Sequence, residues 1–318
     1  MNKQEAISIL KEHNQEHVIK RLEALEDDAA KKLISQVAMI DWKVVESIND
    51  KSDSSSEDKK IEPLEAVEIK DIKANKEKYT AKGVEAIKNG KVAAVLLAGG
   101  QGTRLGLDKP KGTLNVGVNK DLFLFGQLIR NLLDVVDMTG AYVPLYIMTS
   151  DKNNEDTVAF FEEHNYFGYD KDYVKFFIQS MVPSVDYNGK LYMESTDSLA
   201  MSPNGNGGWF LSLMAAGLDK DMEEKGVEYV NVFAVDNILQ RIADPAFIGA
   251  TMLAGAECGS KVVRKCEPEE KVGVMCRVNG HPSIIEYYEM SEELANLRRE
   301  DGELTYGFGV IQIGRAHV

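Results

Sequence analysis

The sequence predicts an α/β protein with a doubly wound, mostly parallel sheet, a helical N-terminal region and an antiparallel extension. Three observations carry that expectation. Short apolar runs (Val92 to Ala98, Val143 to Thr149, Val174 to Ile178, Tyr229 to Val235) alternate with stretches of helical spacing. The first run is apolar throughout and ends in glycines, as a strand covered on both faces does. After Gly259 the runs shorten (KVVRK, VGVMCRV, SIIEYYEM) and are joined by tight turns, the texture of antiparallel pairing.

Taken in order, residues 3–50 place Ile7, Leu10, Val18, Leu22, Leu25, Leu33, Ile34 and Val37 at three- and four-residue steps between charged positions, which fits two or three amphipathic helices. The run KSDSSSEDKK from Lys51 lacks large apolar residues and reads as a linker near 51–62. Pro63 to Asn89 is a connection plus a helix stopped at Asn89-Gly90. Residues 1–90 are thus expected to form a helical N-terminal region, and 91–312 the α/β domain. Within the latter, helices are expected over 122–136, 154–164 and 210–218.

The 318 residues suggest about two domains at roughly 100–200 residues each. With 37 Lys+Arg against 51 Asp+Glu the net charge is −14, so neither nucleic acid nor an anionic membrane is an expected partner. No apolar run approaches the ~20 residues that span a bilayer. The opening Met1-Asn2-Lys3-Gln4-Glu5 leads into no apolar leader segment, and a cytoplasmic location is expected. The three cysteines, Cys258, Cys266 and Cys276, are expected to be reduced, buried and structural rather than disulfide-bonded or zinc-bound.

The chemistry concentrates in LLAGGQGTRLGLDKPKG, Leu96 to Gly112. Gly99, Gly100 and Gly102 sit where the chain must turn, and glycines at positive φ let successive N–H groups converge on an anion. Arg104, Lys109 and Lys111 add cations within eight residues in an acidic protein, which suits a polyphosphate. The spacing matches neither G-x-G-x-x-G nor G-x-x-x-x-G-K-[ST]. A plain tight connection is the alternative. Asp236 ends the apolar run from Tyr229, where an open α/β sheet places its ligands. A carboxylate facing a triphosphate calls for Mg²⁺; alternatively Asp236 caps a helix over 238–241. The stretch Pro203 to Gly208 is either backbone lying against a ligand or a flexible linker.

LAGGQGTRLG followed by PKG resembles the signature of the UTP-using sugar-nucleotide pyrophosphorylases, the branch that includes the eukaryotic-type UDP-N-acetylglucosamine enzymes. PNGNGG, VDNILQRIADPAFIG, GSKVVRK, EKVGVMCRVNG and IIEYYEM continue the resemblance in order over residues ~90 to ~311. The resemblance implies a Rossmann-like nucleotidyltransferase domain in which a sugar 1-phosphate displaces pyrophosphate from UTP. It implies that Arg104 and Lys111 act on the phosphates as catalytic residues and that Gly99, Gly100, Gln101, Gly102, Gln179 and Gly205 bind the nucleotide. Gln179 would read the uracil edge. Asn206, Gly273 and Glu286 are implied to lie around the sugar, and Asp236 to hold Mg²⁺. Glu289 is left out, on the expectation that a strand turns it to the face opposite Glu286. The implied product is UDP-N-acetylglucosamine, with UDP-glucose, a broader UDP-sugar range or an inactive nucleotide-binding fragment as alternatives.

Two departures qualify the resemblance. Val310 stands where the eukaryotic relatives carry a sugar-contacting Asn, and the pattern stops after Ile311. Residues 313–318 read like a translated sequencing adapter and are expected to be a non-native tail, with a further catalytic segment and its phosphate-binding lysine expected beyond.

Overall fold

The structure, a computed structural model, describes residues 1–47, 60–102, 106, 108–310 and 315–317. The chain opens with α1 (Lys3–Glu12), α2 (Glu16–Ala24), α3 (Asp27–Ala38) and α4 (Trp42–Ser47). There follow β1 (Ile61–Pro63), α5 (Ile69–Ala74), α6 (Lys76–Lys88), β2 (Val92–Leu97), α7 (Leu124–Thr139), β3 (Leu145–Thr149), α8 (Asn154–Glu163) and β4 (Val174–Ile178). Next come β5 (Met181–Pro183), β6 (Met201–Pro203), α9 (Trp209–Ala215), α10 (Leu218–Glu224), β7 (Tyr229–Ala234) and α11 (Pro245–Leu253). The last elements are β8 (Cys258–Ser260), β9 (Val263–Arg264), β10 (Gly273–Val278), β11 (His281–Ile285), α12 (Glu292–Asn296), β12 (Phe308–Val310) and β13 (Arg315–His317).

Among the described residues, those of Met1–Glu57 and Ser180–Gly208 form one compact unit and those of Asp58–Gln179 and Trp209–Val318 a second. In the first, the apolar stripes read from the sequence become the core: Ala6, Leu10, Val18, Leu22, Leu33 and Val37 are buried, together with Leu191 and Leu199 of the returning segment. Gln15 fastens the two pieces. Its amide donates to the carbonyl of Gly189 at 2.9 Å, and its oxygen accepts from the N–H of Leu191 at 3.0 Å.

These units divide the chain differently from the expected boundary at 90. The second piece of the first unit, Ser180–Gly208, falls inside the stretch assigned to the α/β domain. Conversely, α5 and α6 belong with the sheet unit. Glycine explains the placement of α6: a Cβ on Gly83 would lie 1.9 Å from the Pro245 carbonyl oxygen, and one on Gly249 1.9 Å from that of Tyr79. Two helices can approach that closely only where neither carries a side chain. The expected linker lies outside the described residues except at its end, where β1 pairs antiparallel with β10.

In the sheet unit, β2, β3, β4 and β7 are parallel, in the order β4-β3-β2-β7. Both faces of β2 are covered, which is why its run is apolar without alternation. Ala94 and Leu96 pack with Ile87, Phe125, Leu128 and Ile248 of the helices α6, α7 and α11. Ala93 and Val95 pack on the other face with Leu213 of α9 and Met222 of α10. The doubly wound expectation therefore holds. On the far side of β7, β13 pairs antiparallel between β7 and β8. The antiparallel extension is the sheet of β1, β10, β12 and β9, with β11 on β10.

Two local expectations need correction. No helix covers 238–241: the segment is turns, and the next helix is α11, capped by Asp244 accepting from the N–H of Ala246 at 3.1 Å. Pro245 at the first helical position favours a start there. Of the cysteines, Cys276 alone is buried, whereas Cys258 and Cys266 are exposed.

Candidate active site at the ends of β2 and β7

The strand order reverses at β2. The chain runs from β2 outward through β3 to β4, then returns to place β7 on the other side of β2. Ligands of open α/β sheets bind beyond the carboxyl ends of the strands at such a switch point. Here β2 runs into Gly99, Gly100, Gln101 and Gly102, and β7 runs into Asp236. Register fixes their proximity, since Leu97 pairs with Ala234 and the N–H of Val235 donates to the Leu97 carbonyl at 3.2 Å.

The glycine loop is open where an anion would need it. Among the described residues, the N–H groups of Gly99, Gly100 and Gln101 have no hydrogen-bond partner. The N–H of Gly102 is already committed to the Lys109 carbonyl at 3.0 Å, so this residue shapes the loop and offers no amide to a phosphate. Positive φ is not the reason for Gly99, Gly100 or Gly102; in this loop Gly106 has it, at 71°. Space is the reason at Gly99, where a Cβ would lie 2.7 Å from Oε1 of Gln179. A Cβ on Gly100 would meet nothing within 4 Å, so that position faces open space. Arg104 lies outside the described residues.

Lys111 sits on a short turn in which Thr113 donates through both N–H and hydroxyl to the Pro110 carbonyl, at 3.0 and 2.8 Å. Gly112 fits beneath the Phe125 ring, where a Cβ would lie 2.2 Å from Cζ. This seating sends the Lys111 ammonium to Asp236, with Nζ 2.5 Å from Oδ1. Gln179, directly after β4, is almost fully buried, its N–H donating to the Thr149 carbonyl at 2.8 Å. Gly99, Gly100, Gln101, Lys111, Gln179 and Asp236 are therefore arrayed along the ends of three parallel strands.

The residues expected around the sugar lie elsewhere in the fold. Gly273 begins β10 and Glu286 follows β11, and a Cβ on Gly273 would lie 3.2 Å from Oε1 of Glu286. Glu286 and Glu289 do not alternate along a strand. β11 ends at Ile285, and a turn joins the pair: the Glu289 N–H donates to the Glu286 carbonyl at 2.9 Å, and the Glu286 N–H to Oε2 of Glu289 at 3.1 Å. Gly205 and Asn206 belong to the other compact unit, where both are exposed and Gly205 has φ 71°.

One residue at the site received no part in the sequence reading. Asn153, just before α8, is fully buried and directs its side chain to the carbonyls of the glycine loop. The pair Asn153-Asn154 ahead of an apolar helix was legible only as a helix start.

Among the described residues, no three His, Cys, Asp or Glu side chains come together as a metal cage. A lone carboxylate nonetheless suits Mg²⁺, which keeps most of its water and takes one or two carboxylates plus substrate phosphates. No described helix is long and apolar enough to cross a membrane.

Comparison with known proteins agrees with this architecture. The chain is 45% identical over 240 residues to human UDP-N-acetylhexosamine pyrophosphorylase-like protein 1, covering 74% of this chain and 47% of the relative. It is 40% identical over 268 residues to the UDP-N-acetylglucosamine pyrophosphorylase of Saccharomyces cerevisiae, covering 81% of this chain and 56% of the relative. The crystal structure of the Trypanosoma brucei uridine diphosphate N-acetylglucosamine pyrophosphorylase, in complex with inhibitor, superposes with a TM-score of 0.84 at 29% identity. That superposition covers 100% of this chain and 67% of the other. The chain thus spans about half the length of the curated relatives. The model of the family described as UTP–glucose-1-phosphate uridylyltransferase matches residues 42–303, and with most of its length inside that match the chain belongs to this family.

Proposed function

We propose that the chain carries the nucleotide-binding core of a uridylyltransferase that joins UTP to a sugar 1-phosphate, releasing pyrophosphate. N-acetylglucosamine 1-phosphate is the proposed sugar substrate, from the names of the relatives at 40–45% identity. The observation that carries the reading is the meeting, at the sheet's switch point, of free loop amides with the Lys111–Asp236 pair. One sugar-phosphate oxygen attacks the α-phosphorus of UTP. The bond to the bridging oxygen breaks, and its electron pair leaves on pyrophosphate. Such transfers are accelerated chiefly by positioning and by charge stabilisation.

Each residue has work suited to its place. The N–H groups of Gly99, Gly100 and Gln101 hold phosphate oxygens, and Gln179 pairs its amide with the uracil edge. Lys111 releases Asp236 and turns its ammonium to the phosphates, joined by Arg104. Asp236 would hold Mg²⁺, which would supply charge neutralisation on the triphosphate. Gly273 and Glu286 meet the sugar hydroxyls. A cytoplasmic location is part of the same proposal, supported by Cys258, Cys266 and Cys276 being free thiols.

A second reading, glucose 1-phosphate or several sugars, is favoured by one specific observation: Val310, paired with Gly273 at the edge of the sugar region, offers no side-chain amide. Pyrophosphate release measured with UTP and a panel of sugar 1-phosphates tests both readings. Release with N-acetylglucosamine 1-phosphate foremost supports the first, and a preference for glucose 1-phosphate the second. UTP binding without pyrophosphate from any sugar would leave an inactive nucleotide-binding fragment.

A further inference from the structure

Asn153 uses its whole side chain on the glycine loop. It is 0% exposed, and Nδ2 donates to the carbonyl of Ala98 at 3.0 Å and to that of Gly100 at 3.4 Å. Oδ1 accepts from the N–H of Ser150 at 2.7 Å. Its backbone is equally fixed, with the N–H on the Ser150 carbonyl at 3.0 Å and the carbonyl accepting from the Thr157 N–H at 2.9 Å. The Gly100 carbonyl also accepts from the Lys111 N–H at 3.3 Å.

Peptide geometry turns these bonds into a statement about the loop's other side. In a trans peptide, C=O and N–H point in opposite directions, and the described chain contains no cis bond. Holding the carbonyls of Ala98 and Gly100 toward Asn153 therefore turns the N–H groups of Gly99 and Gln101 away from it. Those are two of the amides that lack partners among the described residues. We propose that Asn153 is a positioning residue that sets the direction in which the loop offers its amides to UTP, an inference that rests on the reading of this loop as the UTP site. The role needs two donors and one acceptor on a short, stiff side chain. Asn supplies them; Asp has no donor and Thr only one.

Asn153→Asp is the discriminating variant. It keeps the shape and the acceptor for Ser150, but sets a carboxylate against two carbonyls. UTP affinity, measured by calorimetry at pH 8, should fall about tenfold, the equivalent of ~1.4 kcal/mol. A buried carboxylate without a donor partner is protonated far more readily than a free one. At pH 5 the resulting acid donates one hydrogen bond, so the deficit relative to the native chain at the same pH should shrink. A deficit that is absent, or equal at both pH values, overturns the positioning role. Should Asn153→Asp not fold by circular dichroism, Asn153→Thr replaces it, with an expected loss of about threefold in UTP affinity. An unchanged affinity in that variant overturns the inference too. If the native chain itself fails to bind UTP, the proposed nucleotide site falls and this inference with it; native binding with an unaffected variant removes the inference alone.

Discussion

Lys111 Nζ and Asp236 Oδ1 lie 2.5 Å apart, an ion pair between residues separated by 125 positions that closes the space between the glycine loop and the end of β7. Their side chains are 26% and 51% exposed. A pair so open to water contributes little to stability, about 0–1 kcal/mol. The function proposed above gives the pair a chemical role. In the proposed reaction each partner exchanges the other for substrate, the ammonium for phosphate oxygens and the carboxylate for Mg²⁺.

Lys111→Ala should accordingly lower turnover by about 10²–10³ through lost charge stabilisation, while unfolding free energy changes by under ~1 kcal/mol. Asp236→Asn should raise the Mg²⁺ concentration needed for half-maximal rate. Pyrophosphate release and urea unfolding, run on the same preparations, separate the two effects. A Lys111→Ala protein with native turnover would take the pair out of the mechanism.

Gly99 and Gly100 should respond differently to the same small change. A Cβ at Gly99 would press on Oε1 of Gln179 from 2.7 Å, displacing the amide proposed to read uracil. At Gly100 a Cβ meets no protein atom within 4 Å and projects where phosphate would come. Gly99→Ala should therefore erode the preference for UTP over CTP. Gly100→Ala should weaken both nucleotides alike, by about tenfold each, with an unchanged melting temperature. Nucleotide competition assays on the two variants check this, and identical profiles would refute the distinction.

The strands and their ligand-facing ends were legible because continuous apolar runs ending in Gly99 and Asp236 are local signals, whereas the reversal of strand order at β2 is set by which strands pair and has no local signal. The division into units was not, since it depends on chain segments far apart in sequence, such as Gln15 with Leu191 and Gly83 with Pro245. The glycines were read correctly as a loop but for the wrong reason. Crowding by Gln179, which no spacing rule reveals, explains Gly99 where positive φ does not. Glu286 and Glu289 were misjudged because the apolar run SIIEYY gives no sign that the chain turns after Ile285. Asn153 carried no signal beyond a helix start, since its partners are backbone carbonyls that any sequence would offer.

The contact of α6 with α11 gives a stability test independent of catalysis. Gly83→Ala and Gly249→Ala each force a methyl to within 1.9 Å of a backbone oxygen, which no side-chain rotation relieves. Each should cost about 1–3 kcal/mol, the usual penalty for overpacking. Gains in helix propensity of up to ~1 kcal/mol offset only part of it. Urea midpoints measure the loss. A stabilised Gly83→Ala protein would show that the helices are not in such close contact.

Asp221 on α10 predicts how stability depends on pH. Partial burial works to raise its pKa, but the ammonium groups of Lys175 and Lys225 and the Tyr146 hydroxyl outweigh it and hold the carboxyl well below its ordinary value. Tyr146 Oη and Lys175 Nζ both lie 2.6 Å from its oxygens, and Lys225 also bonds Oδ1. Burial, then the hydrogen bond to Asp221, raises the Tyr146 pKa in turn, so the phenol remains a donor. A depressed folded-state pKa stabilises the fold above the unfolded value of ~3.9 and loses that contribution as pH falls through the folded value. Asp221→Asn should therefore destabilise the protein by about 1–2 kcal/mol at pH 7, where two half-exposed ammonium groups lose their counter-charge. At pH 3 the unfolded carboxyl is already largely protonated while the native one is still ionised, so part of that contribution is gone and the difference between the two proteins should be smaller. Denaturant unfolding of both at the two pH values decides the matter; a difference that stays constant, or grows toward acid, would show that the carboxylate is not what joins β3, β4 and α10.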